Sequence, residues 1–393
     1  MSPRIIRVLT FLVVIAALVA SAYVLVPKVG TGHPKVNTAG KLIYVSTADA
    51  AGKPHIWIVG FDGIGAKDLT PGDQSCADPN FSPDGSLIAY ISDKDGQQQV
   101  YIMDADGKQP HAVTFGTAAK EQPQFSPDGK TLTFLSQGTI TSLDIQSNDT
   151  QIILPSPGSA TSSATSSLID VSHAPVVSYA WAHKASGASS DNGAIAAVQE
   201  SADGDLQVLT LLTTLQGSPK ELLYAENINL AWSPDGAELY AALLGAKLSP
   251  EQPNFSGMLT FDVSGNIVQR PPLALTNSPT VGPIDPSLSP DGKQVTFSLL
   301  SEPDLAHQKI IGLFNEPLDG SAPPHELLSG PATSAQWAPD GVHLLVILPS
   351  GNSSGHDVWV ASVGSSSTPI NLTKGSGDVT GAQWSPIPPK PGT

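Results

Sequence analysis

The chain has 393 residues, with Gly 36, Pro 35 and a single cysteine, Cys76. That much Gly and Pro suits a turn-rich β fold rather than a helical one, and a lone cysteine excludes an intramolecular disulfide, so burial alone must hold the fold. A net charge of −16 argues against nucleic acid as a partner, because phosphate binding needs clustered Lys and Arg; it suits solubility or a cationic partner.

The first predicted element is a signal anchor over residues 1–28. Arg4 and Arg7 precede an apolar run, Val8 to Val26, in which only Thr10, Ser21 and Tyr23 carry polar atoms, and Pro27 and Lys28 close it. A run of this length spans a bilayer as a helix. The basic residues in front predict the N-terminus inside the cytoplasmic membrane and the rest outside. Ala20-Ser21-Ala22 supplies the alternative, cleavage near Ala22 to leave a secreted or periplasmic chain. Against it, the apolar run continues through Tyr23-Val24-Leu25-Val26. Residues 29–40 read as a spacer.

From residue 41 to 386 the chain repeats. The unit is an aromatic followed by Ser-Pro-Asp-Gly, beginning at Phe81, Phe125 and Trp232 and supplying Asp84, Gly85, Asp128, Gly129, Asp235 and Gly236. Leu288 with Asp291 and Gly292, and Trp337 with Ala338, Asp340 and Gly341, are close variants. Trp181-Ala182-His183 is a degenerate copy and Trp384-Ser385-Pro386 a truncated one. The seven anchors lie 44, 56, 51, 56, 49 and 47 residues apart, the size of a four-stranded propeller blade. Pro presets one turn position, Asp tolerates the next and Gly supplies the left-handed residue that enters the following strand. An apolar strand follows each turn, as in Leu87–Ile91, Glu238–Leu243 and His343–Leu348. A third follows, as in Gln99–Met103, and a fourth ends in Val113-Thr114, Leu275-Thr276, Leu327-Leu328 or Leu372-Thr373.

The two ends of the repeat are complementary. Residues 41–70 supply three strands without an anchor, and Thr380–Ser385 supply an anchor strand with nothing after it. The last strand is therefore expected to complete the first blade and close a ring of seven, which hides sheet edges. Six blades is the alternative if the irregular stretch 155–225 forms none. Within it, 155–167 and 185–192 read as surface loops, and the Pro-rich tail 387–393 as unstructured.

This pattern closely resembles the WD40-like (PD40) repeats of the TolB family. The second blade shows it best, from Phe81-Ser82-Pro83-Asp84-Gly85 through Val100-Tyr101-Ile102-Met103-Asp104 to Val113-Thr114. The resemblance implies an envelope protein that binds protein partners through its propeller. The chain departs from that family in its hydrophobic segment, in showing no mixed α/β domain before the blades, and in having seven blades where six are usual. The same repeats occur in propellers of prolyl-oligopeptidase-like peptidases, whose hydrolase domain finds no counterpart here.

Little in the chain reads as chemistry. Gly351-Asn352-Ser353-Ser354-Gly355 matches a nucleophile pattern that needs a strand-turn-helix setting, whereas here it falls between two strands. Asp93-Lys94-Asp95-Gly96 and Asp104-Ala105-Asp106-Gly107 read as hairpin turns rather than calcium loops. The histidines His55, His111, His325 and His356 do not cluster, no spacing suggests zinc, and no cofactor is implied. The candidate site is a set of acids on segments leading into the first strand of each blade: Asp78, Glu121, Glu226, Asp285 and Asp378, with Asp95 and Asp304 on loops of the same face. Their carboxylates could attract a cation or a basic segment of a partner at the channel mouth.

The reading is a non-catalytic, membrane-tethered propeller that binds a protein, peptide or glycan of the cell envelope. A hydrolase or lyase with a metal in the channel, and a sensor or accessory domain of an envelope system, are the alternatives.

Overall fold

The computed structural model describes residues 41–386 apart from 49–51, 61, 155–173, 183–192, 202–203, 216, 247–253, 269–272, 277–280, 302–308, 351–354, 365–368 and 376. The hydrophobic run 8–26, the loops 155–167 and 185–192, the tail 387–393 and Asp304 therefore lie outside the described residues. Among the described residues, no helix is long and apolar enough to cross a membrane.

Twenty-eight strands are described. β1 (Lys41–Ser46), β2 (His55–Gly60) and β3 (Lys67–Asp68) open the chain. Blade 2 is β4 (Cys76–Phe81), β5 (Leu87–Ser92), β6 (Gln99–Asp104) and β7 (His111–Ala112). Blade 3 is β8 (Lys120–Phe125), β9 (Thr131–Ser136), β10 (Thr139–Asp144) and β11 (Thr150–Leu154). Blade 4 is β12 (Val176–Trp181), β13 (Ile195–Glu200), β14 (Gln207–Leu212) and β15 (Lys220–Ala225). Blade 5 is β16 (Asn227–Trp232), β17 (Glu238–Ala246), β18 (Phe255–Asp262) and β19 (Leu273–Thr276). Blade 6 is β20 (Gly282–Leu288), β21 (Gln294–Ser301), β22 (Lys309–Pro317) and β23 (His325–Ser329). Blade 7 is β24 (Thr333–Trp337), β25 (His343–Pro349), β26 (His356–Ser362) and β27 (Ile370–Asn371). The last strand, β28 (Val379–Trp384), pairs with β1 to complete blade 1 in the order β28-β1-β2-β3.

The architecture is thus an all-β propeller of seven four-stranded antiparallel sheets, as the repeat spacing implied, and the irregular stretch does form a blade. Closure matches the expectation: Leu42 pairs with Trp384, Ile43 with Gln383 and Tyr44 with Ala382, and the Ser385 N–H donates to the Lys41 carbonyl at 2.7 Å.

The core is divided among the blade interfaces. Seven hydrophobic clusters each join two neighbouring blades, and each holds one of the seven anchors. Phe81 packs against Ile43 and Ile58 of blade 1, and Trp384 packs against Leu345 and Val358 of blade 7. Trp181 and Trp232 are buried to the same degree as their counterparts. Large-to-alanine changes at such positions typically cost about 3–5 kcal/mol. The middle strands are covered on both faces by neighbouring sheets, so β5, Leu-Ile-Ala-Tyr-Ile-Ser, is buried almost throughout. Such strands read as apolar runs rather than as alternation.

The repeat turn is built the same way in four blades. Ser82, Ser126, Ser233 and Ser289 each donate from Oγ to the Asp two residues on, at 2.6 Å. The same hydroxyls accept the N–H of the residue five on, at 2.9–3.0 Å. In blade 7, where Ala338 replaces Ser, Asp340 instead accepts the His343 N–H at 3.0 Å and pairs with its Nδ1 at 2.7 Å. Gly85, Gly129, Gly236, Gly292 and Gly341 close the turns at φ of +66 to +71°. Gly85, Gly129, Gly292 and Gly341 also meet the Pro of the preceding blade's turn, so a Cβ there would touch it. In the last copy Pro386 stands against Gly85 in the same way.

β19 ends at Leu275-Thr276 as expected, whereas two other ends differ. β7 and β27 stop before Val113-Thr114 and Leu372-Thr373. Thr70, Thr114 and Thr373 instead accept, through Oγ1, the N–H groups of Ile56, Val100 and Val358. The preceding residues Leu69, Val113 and Leu372 donate their N–H to the carbonyls of those same three partners. A side-chain oxygen replaces the next ladder bond, which is why the outermost strands can be two residues long.

Candidate functional site at the central channel

The first strand of each blade is an inner sheet edge, and its outward row of backbone groups needs partners. Many come from the neighbouring blade. The residue just before an anchor extends its side chain to the next anchor's N–H: Gln383 to Phe81 at 3.1 Å, Asn80 to Phe125 at 3.2 Å, Ser287 to Trp337 at 3.4 Å and Gln336 to Trp384 at 3.0 Å. Between blades 3 and 4, Gln122 and Gln124 donate from Nε2 to the carbonyls of Val177 and Tyr179, each at 3.0 Å. The Tyr179 hydroxyl donates back to the Gln122 carbonyl at 2.7 Å, and burial pushes that phenol above its ordinary range. This belt escaped the sequence reading, although its signal is visible: an amide or hydroxyl stands before five of the seven anchors.

The five predicted acids sit in different local settings. Asp78 and Asp285 sit three residues before their anchors, both at φ +49° and both at a bulge in the inner strand. Asp tolerates that left-handed conformation better than most residues. Asp78 Oδ2 accepts the Gln122 N–H at 2.9 Å, linking blades 2 and 3. Glu121 is the exposed second residue of β8. Glu226 lies between β15 and β16, with its side chain against Gly245. Asp378 accepts the His356 N–H at 2.8 Å and pairs with its Nδ1 at 3.1 Å, tying the loop before β26 to the entry of β28. Among the described residues, no three His, Cys, Asp or Glu side chains stand close enough to hold one metal ion.

A cavity of about 270 Å³ opens on the channel side of four successive inner strands. Its lining includes Ser178 and Ala180 of β12, Asn229 and Leu230 of β16, Asp285 of β20 and Ala335 of β24. Of the predicted acids only Asp285 lines it. The cavity lies where the belt is thinnest: the residues before the anchors Trp181 and Trp232 are Ala180 and Ala231, and neither has a polar side-chain group to extend. There the Trp232 indole donates to the Ala180 carbonyl at 3.1 Å, and Asn229 Oδ1 accepts the Asp285 N–H at 3.3 Å.

The other candidates resolve into structure. His55 is buried and pairs with Asp68 at 2.8 Å; His111 and His325 are exposed. Asp93 to Gly96 and Asp104 to Gly107 are hairpin turns, closed by the Gly N–H at 2.8 Å in both cases. Cys76 is a buried member of the cluster between blades 1 and 2, and burial raises its thiol pKa. The Gly-x-Ser-x-Gly segment falls between β25 and β26, with residues 351–354 outside the described set.

A model of the TolB beta propeller domain matches residues 20–167. The match takes in β1 to β3 of blade 1 and the strands of blades 2 and 3. Among solved structures the chain is similar to TolB from Acinetobacter baumannii, at 15% identity and a TM-score of 0.48, over 88% of this chain and 66% of that one. This chain thus spans slightly less than two thirds of that protein. It is also similar to the β-propeller domain of Cps50 (Swd1) from Myceliophteria thermophila, at 14% identity and a TM-score of 0.50, over 79% and 91% of the two chains. Oligogalacturonate lyase from Vibrio parahaemolyticus matches at 11% identity and a TM-score of 0.41, over 83% and 98%. At such identities these likenesses concern fold. No curated protein sequence matches the chain.

Proposed function

We propose that this TolB-type propeller is a non-catalytic binding module, tethered outside the cytoplasmic membrane by residues 8–26, and that it receives an envelope protein, peptide or glycan at its channel mouth. The observation that carries this reading is the cavity on the inner strands of blades 4 to 7, whose lining is polar and apolar by turns and includes one carboxylate. Among the described residues, that lining holds no histidine, cysteine or lysine to serve as nucleophile or base. The imidazoles of His55, His343 and His356 pair with acids elsewhere. Concave, mostly pre-formed sites with a few convergent polar groups are the usual form of a binding pocket. The tether rests on the length of the apolar run and on Arg4 and Arg7 before it.

The test uses the full chain in detergent, cross-linked in envelope extract. Wild type is expected to retain a specific partner that Asp78→Asn/Asp285→Asn loses at unchanged thermal stability, since Asn keeps the acceptor oxygen and suits a positive φ. Equal capture by both proteins, or a stoichiometric divalent ion whose removal abolishes a turnover, would overturn the reading. A reporter fused after Thr393 that is active only outside the cytoplasm checks the orientation.

A further inference from the structure

We infer that the cavity between blades 4 and 7 takes a single alkylammonium or guanidinium group on an aliphatic stem, the end of a Lys or Arg side chain offered by the partner. This rests on the channel-mouth reading above and names the chemistry of its occupant. At about 270 Å³ the space falls just below the range of sites for drug-sized ligands, roughly 300–1,000 Å³, and suits one long side chain. Its lining divides in the way such a side chain does. Leu230, Ala180 and Ala335 supply the smaller, apolar share beside a methylene stem, while Asp285, Ser178 and Asn229, whose Oδ1 also holds the Asp285 N–H, supply the larger polar share around the head. Long basic side chains bury their stems and keep their heads hydrated or paired.

The lining carries one negative charge and no Lys, Arg or His, in a chain of net charge −16, so an anionic occupant would meet repulsion on entry. The free volume has a sequence cause. Gln122 and Gln124 extend across the junction of blades 3 and 4, whereas the equivalent places in blades 4 and 5 hold Ser178, Ala180, Asn229 and Ala231. Short side chains leave room on one side of the channel, beside its one lining carboxylate.

The probes are the blocked tripeptides Gly-Lys-Gly and Gly-Arg-Gly, the neutral isostere Gly-norleucine-Gly, and butylammonium chloride, titrated calorimetrically into the full chain. A basic tripeptide is expected to saturate with a Kd of about 1 mM and the norleucine peptide to bind about tenfold weaker or more. Asp285→Asn should weaken the basic peptide by a similar factor with thermal unfolding unchanged, and Asn229→Asp, which adds a second carboxylate, should tighten it. Butylammonium binding as tightly as the peptides would assign the same chemistry to a free amine instead of a partner. Equal binding of the norleucine peptide, or no response to either substitution, overturns the proposal. Should Asp78→Asn/Asp285→Asn lose the envelope partner while the peptides fail to bind, this inference falls and the binding reading stands.

Discussion

At the junction of blades 2 and 3, Asn80 and Asp78 reach across to the backbone of Phe125 and Gln122. At the junction of blades 4 and 5 the same positions are Ala180 and Ser178, and the Trp232 indole bonds the Ala180 carbonyl instead. Both junctions bury an anchor, Phe125 or Trp232, in a two-blade cluster. What differs is how the inner edge is satisfied. Side chains close the edge where amides and carboxylates precede the anchor, and a cavity remains where alanine does. Packing between blades is therefore separable from the chemistry of the channel, and the less regular half of the ring has room for a ligand.

The largest expected effect tests whether blade 4 shares the ring's cooperativity. Trp384→Ala and Trp181→Ala should each cost about 3–5 kcal/mol in denaturant unfolding. Trp384→Ala should be the worse, because it also loosens the strand that closes blade 1. A loss below about 1 kcal/mol at Trp181 would place blade 4 outside the cooperative unit.

Next comes the belt itself. Asn80→Ala should cost about 1–3 kcal/mol, since it leaves the Phe125 N–H without its acceptor. Ala180→Asn, which restores the belt residue in blade 4, should change stability by no more than about 1 kcal/mol and should abolish binding of the basic tripeptides. Similar losses from both substitutions would refute the contrast.

A smaller effect belongs to the turns. Ser233→Ala removes a hydroxyl that donates to Asp235 and accepts the Glu238 N–H, at a cost of about 1 kcal/mol. The Ser82, Ser233 and Ser289 hydroxyls, followed by nearby backbone N–H groups at Asp84 and Asp235, hold the carboxyls of Asp84, Asp235 and Asp291 below their ordinary 3.8. Such lowered groups stabilise the fold above that value, and the contribution is lost as pH falls through the folded values. Stability should thus decline below about pH 4, and the Asp235 carboxyl should move up toward 3.8 in Ser233→Ala, as NMR titration would register. The smallest effect is at Cys76, whose burial predicts no reaction with a thiol reagent at pH 8 until the chain unfolds.

The architecture was readable because each blade repeats a strong local signal. Seven anchors at near-constant spacing count the blades, and an unmatched strand at each end implies closure. Degenerate Trp181 still marks a blade, because the anchor and the apolar strand after it suffice. The ends at Val113-Thr114 and Leu372-Thr373 misled by two residues, since Thr there serves as an acceptor in place of a ladder partner, while β19 ends at Leu275-Thr276 as read. The repeat says less about the acids. Asp285 lies in the cavity, but Glu226 and Asp378 pack at strand entries, and a segment's position in the repeat does not tell whether its side chain turns to the channel or to a neighbouring loop.

Composition and periodicity alone determined the class of fold, the number of blades and the pairing of the two ends, because these follow from local turn chemistry and from the need to cover every sheet face. Only the tertiary structure decided which inner-strand groups are satisfied by a neighbouring blade and where the channel stays open. That depends on the reach of side chains between residues about fifty positions apart, and such distances exist only once the ring has closed.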